Sequence, residues 1–325
     1  MAVGRYLVRR TLFMILVLFI VSLLTFIIFV KLPSGDPARR AVGKTSTPEQ
    51  VANARKAFGL DKPIWVQYAR FAKGLIPWPG LFLSEDVYYS YGNFVPVREE
   101  IARRLPVSIT LGVGASLIWL LTGIPIGIFS AIRRNTFSSR TAMLLAIVGV
   151  SMPVFWLGQL LLYVFWFRLK IMPASGLEIN ASIWDSILQG KFILPWITVA
   201  VGYTAFYARM IRGNMMETMS DDYIRTARAK GLSERRVIFK HGLRGALTPV
   251  VTMLGLDLAT VIGGLFITET LFGLPGVGQL AVQSIGRNDF PMVMGVTVLG
   301  ALFIAVANLF VDIAYAFLDP RVRYQ

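Results

Sequence analysis

The sequence predicts an all-α membrane protein with six transmembrane helices, on three observations. Hydrophobic residues make up 55% of the 325 residues and the mean hydropathy is +0.62, which is typical of proteins that cross the membrane several times. Six apolar runs are long enough to span a bilayer. Basic residues lie in alternate short loops between these runs, which gives one consistent orientation. The runs are Thr11–Val30, Pro106–Ile132, Thr141–Phe167, Phe192–Ile211, Ala246–Thr268 and Pro291–Leu318.

The net charge of +15 would indicate nucleic-acid binding in a soluble protein. Here the basic residues lie beside apolar runs, where they favour membrane orientation and contact with anionic lipid. We therefore expect membrane lipids and no nucleic acid among the partners. The absence of cysteine excludes disulfides, thiol catalysis and cysteine-based metal sites.

The first apolar run follows Arg5, Arg9 and Arg10, a pattern that a signal peptide would share. A run of about 20 residues is long enough to span the membrane, and no small-x-small cleavage site follows it. Residues 1–32 are therefore predicted to be a retained transmembrane helix with the N-terminus inside.

Residues 33–105 are predicted to form a small helical insert outside the membrane. Thr47 and Gln50 fit a capping box at the start of one helix, which Gly59 closes. A second helix is expected over Pro63–Lys73, stopped by Gly74. The string Gly43-Lys44-Thr45 ends like a phosphate-binding loop, but position 38 is Ala where that motif requires Gly. We expect no ATP to bind this chain.

Residues 106–325 are predicted to form a five-helix core. Gly123 and Gly127 permit a close helix contact in the second run. Pro153 is expected to kink the third run. The sixth run is followed by a short basic tail, which places the C-terminus inside with the N-terminus.

A cytoplasmic loop at about 213–245 has its own helical design. Nine Lys/Arg stand against four acids between Arg209 and Arg244, which marks the inner side of the membrane. Ser220 is predicted to cap a helix from about Asp221 to Lys230, with Gly231 in the left-handed position after it. Ser233 is predicted to cap a second helix. A structured polar helix pair indicates a docking surface.

Few residues of this sequence are candidates for catalysis, metal binding or substrate contact. His241 is the single histidine, so no metal cluster or catalytic triad is predicted, and the chain is expected not to be an enzyme. Asp257 is an acid inside the fifth run, where it must face protein or a water-filled cavity. It either lines a path and meets a substrate amine, or it forms a hydrogen bond to Asn308 or to a polar group of a partner subunit.

The loop sequence from Asp222 to Gly231, with His241 and Pro249 beyond it, resembles the signature loop of ABC-importer permeases. It is most similar to the B-type subunit of the dipeptide/oligopeptide/nickel branch. The run Glu269–Gly278 is similar to the Glu-Thr-x-Phe-x-x-Pro-Gly-x-Gly segment of that family. Gly245 stands where the peptide branch usually has Asn, which puts the local packing in question.

The resemblance implies a type I importer transmembrane domain whose loop forms the coupling helix in a groove of an ATPase subunit. Ala227 and Ala229 would be small enough to let the helix approach that groove. The coupling residues it implies are Asp222, Tyr223, Arg225, Thr226, Ala227, Arg228, Ala229, Lys230, Gly231 and His241.

The resemblance also implies the assembly. A second homologous permease would complete the path, two ATPase subunits would bind ATP and Mg, and an extracytoplasmic binding protein would deliver di- or oligopeptides or similar small solutes. This chain would carry no cofactor and would lie in the cytoplasmic membrane of a bacterium or archaeon.

The alternative interpretation is that the chain is a self-sufficient secondary transporter or channel. It is disfavoured by a single clear mid-span acid and by the lack of a convincing repeat between the halves. A scaffold without transport is the third alternative.

Overall fold

A computed structural model describes residues 2–31, 36–42, 46–57, 59–74, 89–90, 95–262 and 265–318. Within these ranges the elements are helices, apart from one isolated bridge between Tyr89 and Pro96. The Gly43–Thr45 string and the basic tail after Leu318 lie outside the described residues. The first helices are α1 (Ala2–Phe26), α2 (Pro37–Val42), α3 (Pro48–Ala57), α4 (Ile64–Lys73), α5 (Val97–Ile132), α6 (Phe137–Ser151), α7 (Val154–Leu161) and α8 (Ile183–Leu188). The remaining helices are α9 (Ile193–Thr218), α10 (Asp222–Ala229), α11 (Glu234–Arg236), α12 (Leu243–Ala246), α13 (Thr248–Ile262), α14 (Phe266–Leu271), α15 (Val277–Gly286) and α16 (Phe290–Leu318).

Three π-helical stretches extend these helices: Ile27–Lys31, Leu162–Arg168 and Val237–Gly242. Among the described residues, three helical stretches are long and apolar enough to cross a membrane: Val8–Val30, Val97–Ile132 and Phe290–Val311. The bent pair Phe137–Ser151 and Val154–Arg168 gives a fourth when it is counted as one span. The predicted apolar runs at α9 and α13 are helical as well.

The insert contains the helices that its capping signals predict. The Gln50 backbone N–H donates to Thr47 Oγ1 at 3.3 Å, and the Thr47 N–H donates to Gln50 Oε1 at 2.9 Å. This reciprocal pair is a capping box at the start of α3. Gly59 has a positive φ of 65°, and Gly74 is the C-terminal cap of α4.

The second predicted span begins earlier than expected. Its helix, α5, starts at Val97 rather than Pro106, so the predicted insert boundary at residue 105 lies inside the helix. Glu99 and Glu100 lie in the first turn, where negative charge is favourable. Arg104 pairs with Glu100 one turn away at 2.8 Å. These polar contacts add about two turns that the apolar pattern alone does not reveal.

The third predicted span is broken rather than kinked. The helices on either side of Pro153 meet at 102°. Met152 is extended, with φ −80° and ψ 124°, because a residue before proline avoids the helical conformation. The position of the disruption was predicted correctly, but its size was not.

The fifth predicted span ends earlier than expected. It is expected to reach Thr268, whereas α13 ends at Ile262 and Thr268 lies in the separate helix α14. Leu265, the next residue that the structure describes, has φ −84° and ψ 60°, which is outside the helical range.

The core lies where α5 crosses α9. A Cβ added to Gly123 would lie 3.0 Å from the Thr204 carbonyl oxygen, and one added to Gly127 would lie 2.8 Å from that of Ala208. The close helix contact predicted at these glycines is therefore confirmed. Large side chains that are fully buried, such as Trp119, fill the rest of the interface.

Candidate functional site

The predicted helix pair, which comprises α10, α11 and the π-helical stretch Val237–Gly242, is built around a glycine turn after α10. Gly231 has a φ of 74°, as predicted for the position after the helix. The N–H of Gly231 donates to Arg228 O at 2.9 Å, and the N–H of Leu232 donates to Ala227 O at 3.4 Å. This is a Schellman motif, which reverses the chain and satisfies the last carbonyls of the helix.

The start of α10 differs by one residue from the prediction. Asp221, not Ser220, is the N-terminal cap, and its side chain accepts no capping hydrogen bond. Ser220 instead donates its hydroxyl to Glu217 O at 2.6 Å, which closes the end of α9. Ser233 occupies the cap position of α11 as predicted, also without a side-chain bond.

A small apolar core joins the two helices of the pair. Ile224 and Val237 are fully buried and Ala227 is 6% exposed. Arg228 also donates to both carboxylate oxygens of Glu234, at 2.8 and 3.3 Å. Ala227 therefore faces the interior of the pair and not its exposed surface. Ala229 is exposed.

The outer face of the pair is polar and basic. Tyr223 is 47% exposed, and His241 is half-buried in the π-helical stretch. The predicted coupling residues Asp222, Tyr223, Arg225, Thr226, Arg228, Ala229, Lys230 and Gly231 all lie at the exposed surface. Eight of the ten predicted coupling residues are therefore accessible to a partner. Ala227 is buried and His241 is half-buried.

The inner face of the pair rests on the end of α9. A Cβ added to Gly242 would lie 2.8 Å from Met219 Sδ and 3.5 Å from Met215 Cε. Asn214 Nδ2 donates to Ala246 O at 3.3 Å. The first contact fixes the pair to the end of α9, and the second joins α9 to α12, the helix that directly follows the pair.

Gly245, the residue that departs from the family pattern, lies at a crowded point. An added Cβ would lie 3.0 Å from the hydroxyl oxygen of Tyr223 and 3.0 Å from Thr218 Cγ2. Glycine therefore lets Tyr223 of α10 lie against the chain that leads into α13.

Asp257 lies on α13 and faces α9. Its Oδ2 accepts a hydrogen bond from the Tyr207 hydroxyl at 2.7 Å. Asn308, one of the partners expected from the sequence, is exposed and is not the residue that holds the carboxylate. The half-buried Asp257 is thus joined to the fully buried Tyr207.

Aromatic rings extend this group, and the sequence reasoning missed them. Trp119 stacks on Tyr203 with ring centroids 4.4 Å apart, and it lies 6.1 Å from the ring of Tyr207. Tyr203 and Tyr207 are one helical turn apart, so they share a face of α9. That spacing beside a mid-span acid is the signal that could have identified them.

A second missed group surrounds Glu269, which lies in α14 beyond the end of α13 and is fully buried. The Ser108 hydroxyl donates to Glu269 Oε1 at 2.7 Å, and the Gln279 N–H donates to Oε2 at 2.8 Å. The Val277 N–H donates to Ser108 Oγ at 2.9 Å. Burial raises the pKa of the Glu269 carboxyl, and these hydrogen bonds oppose that rise. The carboxylate thereby ties the first turn of α15 to α5.

Comparison with known families identifies the chain. Residues 123–324 match the family described as binding-protein-dependent transport system inner membrane component. Residues 3–112 match the N-terminal region of the corresponding membrane components. The two matches cover nearly the whole chain.

Individual relatives agree with this match. The chain is 35% identical to the dipeptide transport system permease protein DppB of Alkalihalophilus pseudofirmus, over 98% of this chain and 99% of the relative. It is 38% identical to the glutathione transport system permease protein GsiC of Salmonella paratyphi A, over 98% and 99%. A chain of the inward-facing MetNI methionine ABC transporter has the same fold, with a TM-score of 0.55, 19% identity and coverage of 69% of this chain and 98% of that one. The protein therefore belongs to the family of inner membrane components of binding-protein-dependent transport systems, the permease subunits of ABC importers.

Proposed function

We propose that this chain forms half of the translocation path for peptides or similar small solutes, with a second homologous permease forming the other half. An extracytoplasmic binding protein delivers the solute, and two ATPase subunits bind ATP and Mg and supply the energy. The near full-length similarity to permeases named for dipeptides and for glutathione supports a peptide-like substrate.

The helix pair is the proposed docking surface for an ATPase subunit. The observation that carries this role is its two-sided construction, with an exposed polar face on α10 and an inner face fixed to the end of α9. A subunit that moves α10 must also move the end of α9, because the small core and Gly242 leave little room between them. ATP hydrolysis takes place on the ATPase subunits, and this chain transmits the movement.

Asp257 is proposed to line the path and to meet the amino group of the substrate. Its side chain is only half-buried, and Tyr207 occupies one of its two carboxylate oxygens. Among the described residues none donates a side-chain hydrogen bond to the other oxygen, so it can accept from an ammonium group, an interaction that strengthens where water is scarce. Tyr207 holds the carboxylate in position.

Purification of the tagged chain from its own cell membrane tests the assembly. Two ATPase subunits and a second permease should co-purify, and the reconstituted complex should take up peptides only with ATP and the binding protein. Uptake by this chain alone, driven by an ion gradient, would overturn the proposal in favour of a secondary transporter.

Reporter fusions test the proposed orientation, in which both termini lie in the cytoplasm. Fusions at Asn135 and Ser233 are expected to report the cytoplasm, and fusions at Asn53 and Asn180 the outside. An outside signal at Ser233 contradicts the docking surface, because an ATPase subunit cannot reach it there.

Substitution of Asp257 tests its place in the path. Asp257→Asn should lower uptake severely while the complex still assembles, since the amide is similar in size but lacks the charge. Tyr207→Phe removes only the hydrogen bond and should lower uptake less. Peptide uptake and the yield of intact complex are the two measurements. Normal uptake by Asp257→Asn, or loss of the complex, would show that the carboxylate serves packing instead.

A further inference from the structure

The insert helix α4 packs against a part of α1 that lies deep within its membrane span. The Tyr68 hydroxyl lies 2.9 Å from Ser22 Oγ. The Tyr68 ring contacts Phe19 and Phe26 at centroid distances of 6.1 and 5.4 Å, and Phe71 contacts Phe26 at 5.7 Å. One face of α4 is therefore fixed along α1.

The depth of this contact follows from helix geometry. The apolar stretch of α1 runs from Val8 to Val30, about the length that the hydrocarbon core requires. Ser22 precedes Val30 by eight residues, or about 12 Å along a helix. Phe19 lies at the middle of the stretch. A helix whose side chains reach Ser22 and Phe19 cannot lie wholly in water outside the membrane.

The side chains that α4 leaves uncovered are apolar at its start. Trp65 is 71% exposed and Ile64 is 43% exposed. At about 100° per residue, Trp65 lies roughly a quarter-turn from the Tyr68–Phe71 face. Arg70 and Lys73 follow in the last turn, and long basic side chains can extend from an embedded helix to lipid headgroups.

We propose that α4 is embedded in the boundary region of the bilayer, with Trp65 in contact with phospholipid. The surface of α1 next to this contact supports lipid as the occupant, because it is apolar and uncovered: Leu16 and Phe19 are each 51% exposed and Leu24 is 52% exposed. The exposed side of α4 continues that membrane-facing surface. Indole rings favour the membrane–water interface, since one part is apolar and the N–H is polar. The insert thus has a membrane-binding element between α3 and the start of α5.

Because this chain contains no cysteine, a cysteine introduced by substitution gives it a single position for a spin label. Single variants Trp65→Cys, Leu16→Cys and Asn53→Cys carry a nitroxide label in the assembled transporter, reconstituted in phosphatidylethanolamine–phosphatidylglycerol nanodiscs. The unsubstituted complex supplies the background. Collision with oxygen, which concentrates in lipid, is compared with collision with a water-soluble nickel chelate.

The label at residue 65 should show a ratio of oxygen to nickel collision several-fold higher than at Asn53, which is exposed on the polar helix α3. Residue 16, near the middle of the apolar stretch of α1, should give the highest ratio. Ala69→Cys, also exposed on α4, gives an independent measurement if the tryptophan variant does not assemble. A ratio at both α4 positions equal to that at residue 53 overturns the proposal in favour of water. Low collision with both reagents overturns it in favour of a covering protein subunit.

Discussion

Glu269 belongs to a motif that the sequence shows, but the structural role of its side chain becomes clear only from the structure. The similarity of Glu269–Gly278 to a family segment assigns no role to the acid. In the structure its carboxylate accepts from Ser108 and from the backbone N–H of Gln279. A Cβ on Gly278 would lie 3.0 Å from Glu269 Oε2, so the glycine there makes room for the carboxylate. The segment therefore folds around one buried carboxylate and binds it through a backbone N–H.

The raised pKa of Glu269 predicts a pH dependence of stability. Its ordinary pKa is 4.5 and burial raises it in the folded protein. The folded state therefore keeps a proton that the unfolded state loses, and its contribution to stability falls as the pH rises above about 4.5. Glu269→Gln, which resembles the protonated acid, should flatten this part of the pH profile of thermal unfolding.

A matched control for that substitution is Glu99→Gln, because Glu99 is half-exposed and pairs with the exposed Arg103 at 3.6 Å. The control should leave the profile as it is, since a surface ion pair contributes little. An unchanged slope in Glu269→Gln would mean that other groups govern the response to pH.

At the scale of elements, the sequence correctly predicted the helix caps, turns and breaks that depend on neighbouring residues. The capping box at Thr47 and Gln50, the reversal at Gly231 and the break near Pro153 each depend on a few neighbouring residues. The missed features depend on side-chain pairing and packing that a pattern of apolar residues does not show. The early start of α5 is stabilised by polar pairs that an apolar pattern ignores, and the position of Ala227 follows from how α10 packs on the next turn.

The reversal at Gly231 gives the element-scale prediction. An added Cβ would meet no atom within 4 Å, so a substitution is strained by the backbone alone. Gly231→Val should destabilise the turn by about 1–2 kcal/mol, and Gly231→Asn by less because Asn tolerates a positive φ. Co-purification of ATPase subunits should weaken in the valine variant and persist in the asparagine variant. Equal binding by both variants would show that docking does not need this turn.

At the scale of the whole molecule, α9 connects the two proposed sites. Met215 lies near its C-terminal end beneath Gly242, and Tyr207 lies eight residues earlier beside Asp257. That separation is about 12 Å along one helix. The sequence located the helix pair, Asp257 and the apolar run of α9, but not the contacts that join them. The hydrogen bond from Tyr207 and the contact at Gly242 link positions that are far apart in the chain.

This connection predicts that loosening one end of α9 uncouples the transporter. Met215 is fully buried, and Met215→Ala leaves a cavity beneath the helix pair at a cost of about 2–5 kcal/mol. The exposed face of α10 is untouched, so ATPase subunits should still bind. Movement of the pair should then reach α9 less completely, and fewer peptides should enter for each ATP hydrolysed. Met216→Ala removes the same side chain from the next position, which is 38% exposed, and should leave that ratio unchanged. Uptake and hydrolysis measured together in reconstituted vesicles separate the two variants. An unchanged ratio in Met215→Ala, with ATPase subunits bound, would mean that the movement reaches the path by another route.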